Sequence, residues 1–203
     1  MVKRFVLHDE FSCNVFLITN ELNEAILIDA GLASKRLLDE LKNVNLKAIL
    51  LTHGHFDHVQ SLDRIKSIYP HVEVYCFEED DFLSDIKKNC SFYTYNRISI
   101  KTMFKTFDNE IEIGGFKVKV YHTPGHTKGS VTYYFEKEKA IFFGDTIIEY
   151  SIGRTDLYSS SSSDMKRSLA YIKEIPFKDD DNCYFGHGES MNYLMLKTYN
   201  QYL

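Results

Sequence analysis

The chain contains no Cys-x-x-Cys pair, no Pro/Gly-rich linker, no internal repeat and no apolar run long enough to span a bilayer. Each absence removes a class of protein. Four cysteines, Cys13, Cys76, Cys90 and Cys183, scattered over 203 residues do not make a disulfide scaffold, and small buried or free thiols are expected instead. Positive charge is also short: 24 Lys and Arg against 29 Asp and Glu leave a net charge of −5. A general nucleic-acid binder needs clustered cations to neutralise phosphates, so nucleic acid is not an expected partner. The amino terminus starts basic, but its apolar run soon ends and Asp9-Glu10 follow, which is not a signal-peptide pattern. With no spanning segment either, no membrane partner is expected and the expected location is cytoplasmic. With 44% hydrophobic and 26% charged residues the chain can bury a full core, and one domain over 1–203 is the simpler reading.

What is present begins with short runs rich in Val, Ile, Leu and Phe at 4–7, 14–19 and 25–28, separated by polar turns and read as strands. Residues 33–41 carry Leu37, Leu38 and Leu41 at helical spacing behind Ser34, a candidate N-cap. Residues 47–51 have a buried-strand pattern that runs straight into Thr52-His53. The spacing predicts helices over 59–68 and 80–88 around a strand at 72–77. Further strands are predicted at 117–121, 130–135, 140–143 and 182–185. Leu169, Ile172 and Ile175 share one face of a helix predicted over 165–175. The five serines at 159–163 before it read as a solvated loop, with Ser163 or Asp164 as the cap. A last helix is predicted over 190–202. Two blocks of strands, each flanked by helices, predict two sheets packed face to face with helices outside, a four-layer α/β body.

The chemistry concentrates in five short motifs. They are Ile28-Asp29-Ala30-Gly31, Thr52-His53-Gly54-His55-Phe56-Asp57-His58, His122-Thr123-Pro124-Gly125-His126-Thr127, Phe143-Gly144-Asp145 and Phe185-Gly186-His187-Gly188. Six of the eight histidines fall inside them, and His8 and His71 read as surface residues. Each motif follows a strand-like run, where loops from several strands converge in open α/β sheets. Singly, Asp145 reads as a turn cap, His187 as a tight-turn residue, and His122 as a core or supporting residue. The cluster at 52–58 is different, because four metal-ligand residues in six positions gain nothing from unpaired burial. Imidazole and carboxylate suit zinc and other first-row divalent metals, which generate hydroxide near neutral pH. His53 and His55 alternate on an extended segment, while Asp57 and His58 lie where the chain turns into a helix. One loop could therefore feed two metal positions. The first would take His53, His55 and His126, the second Asp57, His58 and His187, and Asp145 would bridge them.

His-x-His-x-Asp-His followed by Thr-Pro-Gly-His-Thr, Gly-Asp and Gly-His resembles the metallo-β-lactamase superfamily. Asn14-Val15-Phe16-Leu17-Ile18, Gly125-His126-Thr127-Lys128-Gly129-Ser130 and Gly153-Arg154-Thr155-Asp156 are similar to its glyoxalase II (hydroxyacylglutathione hydrolase-like) branch. The resemblance runs from about Asn14 to His187, in a short form that ends sixteen residues later, without that branch's C-terminal helical region. It implies an αββα four-layer sandwich of the metallo-β-lactamase fold and a centre of two divalent ions, zinc first and iron or manganese as alternatives. It also implies thioester hydrolysis through a bridging hydroxide, with S-lactoylglutathione as the type of substrate. Position by position, His53, His55 and His126 match the first metal's ligands, and Asp57, His58 and His187 the second's. Asp145 matches the bridging carboxylate, so Asp57 and Asp145 are the expected catalytic residues. Flavodiiron proteins usually have Glu at the place of His55. Class B β-lactamases lack the bridging Asp and commonly use a Cys ligand, whereas here no cysteine lies in a motif. Arg154 stands where the branch has a glutathione-contacting Lys and is the expected substrate-binding residue. Asp156 and Glu189 replace two tyrosines, and Tyr158-Ser159-Ser160 stands where shorter relatives have Pro-Gly-Gly.

Other functions would use the same residues differently. A mononuclear iron sulfur dioxygenase would need only His53, His126 and Asp145 as a two-His-one-carboxylate triad. A lactonase would keep all seven ligands and take a ring ester. A nuclease is opposed by the acidic balance, and a non-catalytic binding module by the retention of every ligand. The expected partner is a small-molecule thioester. No side chain outside the motifs is needed as a nucleophile.

Overall fold

Alternation along one strand sets the architecture. In β2 (Asn14–Thr19), Val15 and Leu17 point to one face and Phe16 and Ile18 to the other, and all four are buried. A strand covered on both faces needs a layer on each side. The computed structural model describes residues 1–6, 12–31, 33–80, 100–106 and 108–203, and those layers are two sheets flanked by helices. The first sheet has the order β1-β2-β3-β4-β5, with β1 (Val2–Val6), β3 (Glu24–Ile28), β4 (Asn45–Leu50) and β5 (Glu73–Tyr75). Its first three strands are antiparallel neighbours, and β3, β4 and β5 run parallel. The second sheet contains β6 (Glu110–Ile113), β7 (Phe116–His122), β8 (Val131–Phe135), β9 (Ala140–Gly144), β12 (Asn182–Phe185) and β13 (Met191–Asn192). Their order is β13-β12-β9-β8-β7-β6. A two-stranded ribbon of β10 (Ile147–Ile148) and β11 (Ser151–Ile152) follows β9.

Three apolar clusters fill the spaces between four layers. Leu37 and Leu41 of α1 (Lys35–Leu41) and Leu62 and Ile65 of α3 (Leu62–Ile68) pack on Val15, Leu17, Leu27 and Ile49 of the first sheet. Phe16, Ile18, Ile28 and Leu50 meet Val120, Tyr133, Phe135 and Phe142 between the sheets. Met165, Leu169 and Ile172 of α4 (Ser162–Glu174) cover Tyr134, Ile141 and Phe143 on the far face of the second sheet. Fully burying one such side chain is worth roughly 1.5–3 kcal/mol. The expected αββα sandwich is the observed one. Among the described residues, no helix is long and apolar enough to cross a membrane.

The elements depart from the expectations in several places, among them the unpredicted ribbon of β10 and β11. The helix predicted over 59–68 is two helices, α2 (Phe56–Val59) and α3, broken at Gln60-Ser61. Ser61 is drawn to the loop after β3, where its amide donates to Ala30 O at 3.0 Å and its hydroxyl accepts from Ala33 N at 2.7 Å. Those bonds divert groups that a continuous helix would use. The cap of α4 is Ser161, whose hydroxyl accepts from Asp164 N at 3.2 Å, so Ser163 and Asp164 lie inside the first turn. The strand at 182–185 is not the last. Met191–Asn192 pairs with it and leads into α5 (Tyr193–Tyr199), which Asn192 caps through Met195 N at 2.8 Å. Strand β6, half exposed and only four residues long, was not anticipated. Of the helix predicted over 80–88, positions 81–88 lie outside the described residues, as do His8 and Cys90. Ser34 caps α1 as expected, accepting from Leu37 N at 3.1 Å.

The sheets meet along one edge. Thr52 O, just past β4, accepts from Val131 N of β8 at 2.9 Å, and Gly186 O, just past β12, accepts from Asn14 N of β2 at 2.7 Å. All five motifs lie at this edge, because each leaves the carboxyl end of a strand.

Candidate metal centre

Strand ends deliver the donors one loop at a time. β4 exits into His53 and His55, which precede α2, and the first turn of α2 carries Asp57 and His58. The loops after β7, β9 and β12 deliver His126, Asp145 and His187. All seven predicted donors converge. The rings of His53, His55 and His126 lie with centroids 4.9, 4.8 and 4.4 Å apart pair by pair. His187 Nε2 is 3.3 Å from both Asp57 Oδ2 and Asp145 Oδ2. His58 Nε2 is 3.7 Å from Asp57 Oδ2 and 3.5 Å from Asp145 Oδ1, and His126 Nε2 is 3.4 Å from Asp145 Oδ2.

The outer hydrogen bonds show which ring nitrogens point inward with lone pairs. Asp29 accepts from His58 Nδ1 at 2.8 Å, from Thr52 N at 2.7 Å and from the Thr52 hydroxyl at 2.9 Å. Thr52 gives its only hydroxyl proton to Asp29, so at 3.0 Å it accepts from His53 Nδ1. His126 Nδ1 donates to Arg154 O at 2.9 Å. Each ring thus spends its Nδ1 proton outward and, when neutral, aims an Nε2 lone pair inward. His53 Nε2, His58 Nε2 and Asp145 Oδ1 are buried with no hydrogen-bond partner. Lone pairs and carboxylate oxygens aimed at one another repel unless a cation lies between them, so these residues fit divalent metal ions.

The electrostatics split the cluster in two. Burial pushes His53 well below the usual imidazole range, His55 down to about 3, and His126 down as well. Those three are neutral donors. Burial also opposes charge on His58 and His187, but anionic neighbours outweigh it. Asp57, Asp145 and Asp29 hold His58 well above its ordinary value, and Asp145 with Asp57 raises His187 to about 10. Burial alone would raise Asp145, yet His187 and His58 hold it well below the usual carboxylate range. The half around Asp57, His58 and His187 thus demands positive charge, and a metal ion supplies it without protons. It is also the more open half, since Asp57 and His187 are only partly buried.

Several supporting residues were not identified from sequence. Asp29 belonged to a recognised motif but had no assigned role, and its position directly past a strand end was the available signal. Asp80 gave no local signal at all. Its buried carboxylate accepts from Gly54 N at 2.7 Å, Gly129 N at 2.9 Å and the Thr127 hydroxyl at 2.9 Å, so it ties the His53–His55 loop to the His126 loop. Burial raises its carboxyl to about 6 against those bonds. Cys13, which lies in no ligand motif, nevertheless stands at the site. Its Sγ, an Asp57 oxygen and a His58 ring nitrogen all lie within 4.8 Å of one another. Burial pushes that thiol up to about 12. Arg154 stands on the rim with its guanidinium forked onto Asp156, at 2.8 Å from Nε and 2.9 Å from Nη2. His122 donates to Lys128 O at 2.7 Å and stacks on Phe77 outside the cluster, and it is exposed rather than the core or ligand-supporting residue expected.

Comparison with known proteins points to one family. The family model described as the metallo-beta-lactamase superfamily matches residues 8–187. The chain is 30% identical to a probable metallo-hydrolase of Streptococcus pyogenes serotype M6, over 93% of its own length and 84% of the relative's. It is 31% identical to the hydroxyacylglutathione hydrolase GloC of Haemophilus influenzae, over 95% of its length and 93% of the relative's. The crystal structure of BLEG-1, a B3 metallo-beta-lactamase, superposes with a TM-score of 0.91 at 32% identity, covering 100% of this chain and 99% of that one.

Proposed function

Because the chain belongs to the metallo-beta-lactamase superfamily, we propose that it is a binuclear metal-dependent hydrolase cleaving a small acyl thioester such as S-lactoylglutathione. The observation that carries this reading is the position of Asp145. One of its oxygens faces His126 and His187 at 3.4 and 3.3 Å, and the other faces His58 at 3.5 Å. A carboxylate within reach of both halves of the cluster would serve as a ligand shared by two cations. His53, His55 and His126 would hold the first ion and Asp57, His58 and His187 the second. Zinc suits these donors best, and iron and manganese are compatible with them. Such ions supply water of lowered pKa and a Lewis acid for the acyl carbonyl.

The chain's own residues do the rest. Asp29, Thr52 and the Arg154 carbonyl hold three imidazoles in the tautomer that presents Nε2 inward. The partly exposed side of Asp57 and His187 admits substrate and water. Arg154 binds the anionic end of the substrate by exchanging its fork from Asp156 to a substrate carboxylate, which has the same planar geometry. The thioester class is supported by the 31% likeness to a hydroxyacylglutathione hydrolase. The proposed location is the cytoplasm, where glutathione keeps thiols such as buried Cys13, Cys76 and Cys183 reduced.

A second reading, β-lactam hydrolysis, is favoured by the likeness to BLEG-1. Elemental analysis of protein purified without chelators, followed by rates on thioester, lactone, β-lactam and phosphodiester substrates, tests both. Two metals per chain and preferred thioester turnover are expected. Arg154→Ala should raise KM for anionic thioesters far more than for neutral ones. A single iron that takes no partner on reconstitution would replace this reading with a mononuclear dioxygenase. Two bound metals with an inert thioester would end the substrate assignment.

A further inference from the structure

Three described cysteines are free and buried, but they sit in different surroundings. Cys76 belongs to the apolar cluster outside the first sheet and Cys183 to the one outside the second. Each is accounted for as a small hydrophobe. Cys13 belongs to none of the three clusters. It is 1% exposed, and its Sγ faces an Asp57 oxygen and a His58 ring nitrogen, all within 4.8 Å of one another. A thiol gains nothing from packing against a carboxylate. Within the same group His58 Nε2 is fully buried, has no hydrogen-bond partner, and lies 3.7 Å from Asp57 Oδ2.

The position of Cys13 is built into the fold. It directly precedes β2, and β2 runs antiparallel to β3 with Phe16 opposite Ile28. The residues before Phe16 therefore lie beyond the end of β3, at the edge where the other donors emerge. The next residue, Asn14, clamps that point. Its amide donates to Gly186 O at 2.7 Å, and its side chain donates to Phe185 O at 3.0 Å and Gly188 O at 2.9 Å. The strand that presents Cys13 is thereby stitched to the loop that presents His187.

We propose that Cys13 is a thiolate donor to the second metal position, alongside Asp57 and His58. This rests on the two-metal reading given above and adds to it. As the ion binds, the Sγ–H bond is replaced by an Sγ–metal bond and the proton leaves to solvent. The thiol's present acceptor, Asn14 O at 3.4 Å, is a weak one that the exchange releases. A soft sulfur donor biases this position toward zinc and other thiophilic ions and against manganese, which carboxylate and imidazole alone would not do.

Cobalt substitution tests the assignment without relying on turnover. Metal-free protein is titrated with Co²⁺ while stoichiometry and the near-ultraviolet thiolate-to-cobalt charge-transfer band are followed together. The band is expected as the second equivalent binds in the wild type. It should be absent from Cys13→Ser, and from Cys13→Ala as a check on folding, with the d–d spectrum of the first equivalent intact. Zinc affinity at the second position should fall about tenfold or more in both variants. Two cobalt ions without the band, or a band that persists in Cys13→Ser, removes the thiolate and leaves the two-metal reading standing. One cobalt ion and no band removes both.

Discussion

Asp29 shows how much of the site is decided by a residue that touches no metal. It sits at φ +61°, a left-handed conformation that Asp and Asn tolerate better than other non-glycine residues. From there its carboxylate orients His58 directly and His53 through Thr52. Asp29→Asn keeps the backbone conformation but leaves one acceptor oxygen for three donors. Metal affinity should fall about 10–100-fold while circular dichroism is unchanged, as read by competition with a chromophoric chelator. Wild-type affinity in that variant would show that the two rings are oriented by something else. Gly186 acts by its size. A Cβ there would stand 1.9 Å from Asp145 Oδ1 and 2.7 Å from His58 Cε1. In Gly186→Ala the shared carboxylate must move, so the protein should bind one metal normally and the second at least about tenfold more weakly. Two metals bound at wild-type affinity would mean that Asp145 does not need its present position.

Loops joined by one buried carboxylate carry the next level of organisation. The His53–His55 loop and the His126 loop come from different sheets, and Asp80 accepts hydrogen bonds from both. Asp80→Ala leaves three donors without their acceptor, at about 1–3 kcal/mol for each that stays buried and dry. The urea midpoint should drop by an amount equivalent to about 3 kcal/mol, and binding at the His53–His55–His126 position should weaken with it. A drop in stability with unaltered metal affinity would confine Asp80 to holding the fold. The broken helix after His55 belongs to this scale too. Ser61 ends α2 by bonding to the loop after β3, and that junction also takes Ala30 N onto His58 O at 2.6 Å. The break therefore anchors the short helix that carries Asp57 and His58 to the strand that carries Asp29. Apolar spacing over 59–68 gave no warning of it, because the deciding bonds reach about thirty residues back along the chain.

For the molecule as a whole, metal ions held by this cluster would contribute to stability as well as to the proposed reaction. Two sheets are held at the site edge by a few backbone bonds and by a cluster of histidines and carboxylates in which His53 Nε2, His58 Nε2 and Asp145 Oδ1 have no hydrogen-bond partner. Each bound ion adds RT ln(1 + [M]/Kd), about 4 kcal/mol when free metal is a thousandfold above Kd. Chelation with EDTA should lower the thermal midpoint by several degrees and abolish turnover, and zinc should restore both. Turnover and midpoint that both survive exhaustive chelation would rule out a structural and catalytic metal centre here. Alkylating reagents are expected to leave the metal-loaded enzyme active, since Cys13, Cys76 and Cys183 are buried.

Much of this was legible in the order of residues. Short apolar runs specify β2, β3, β4, β8 and β9, because a strand buried on both faces carries apolar side chains along its length rather than in alternation. Ser34 announces α1 because a capping hydroxyl acts on the amide three residues ahead. The seven converging donors could be named because strand ends in an α/β sheet are where loops meet, and clustered His and Asp have no use in a dry core. Interactions that span the chain left no such mark. Ser61 breaks a helix through bonds to Ala30 and Ala33, Asp80 joins two loops from 26 and 47 residues away, and Arg154 turns His126 with its backbone carbonyl. Cys13 stands outside every motif and reaches Asp57 and His58 only because β2 runs antiparallel to β3 and brings its first residues to the same edge. Local sequence records what a residue does with its neighbours in the chain. Which distant groups it meets is settled by the register of the sheets.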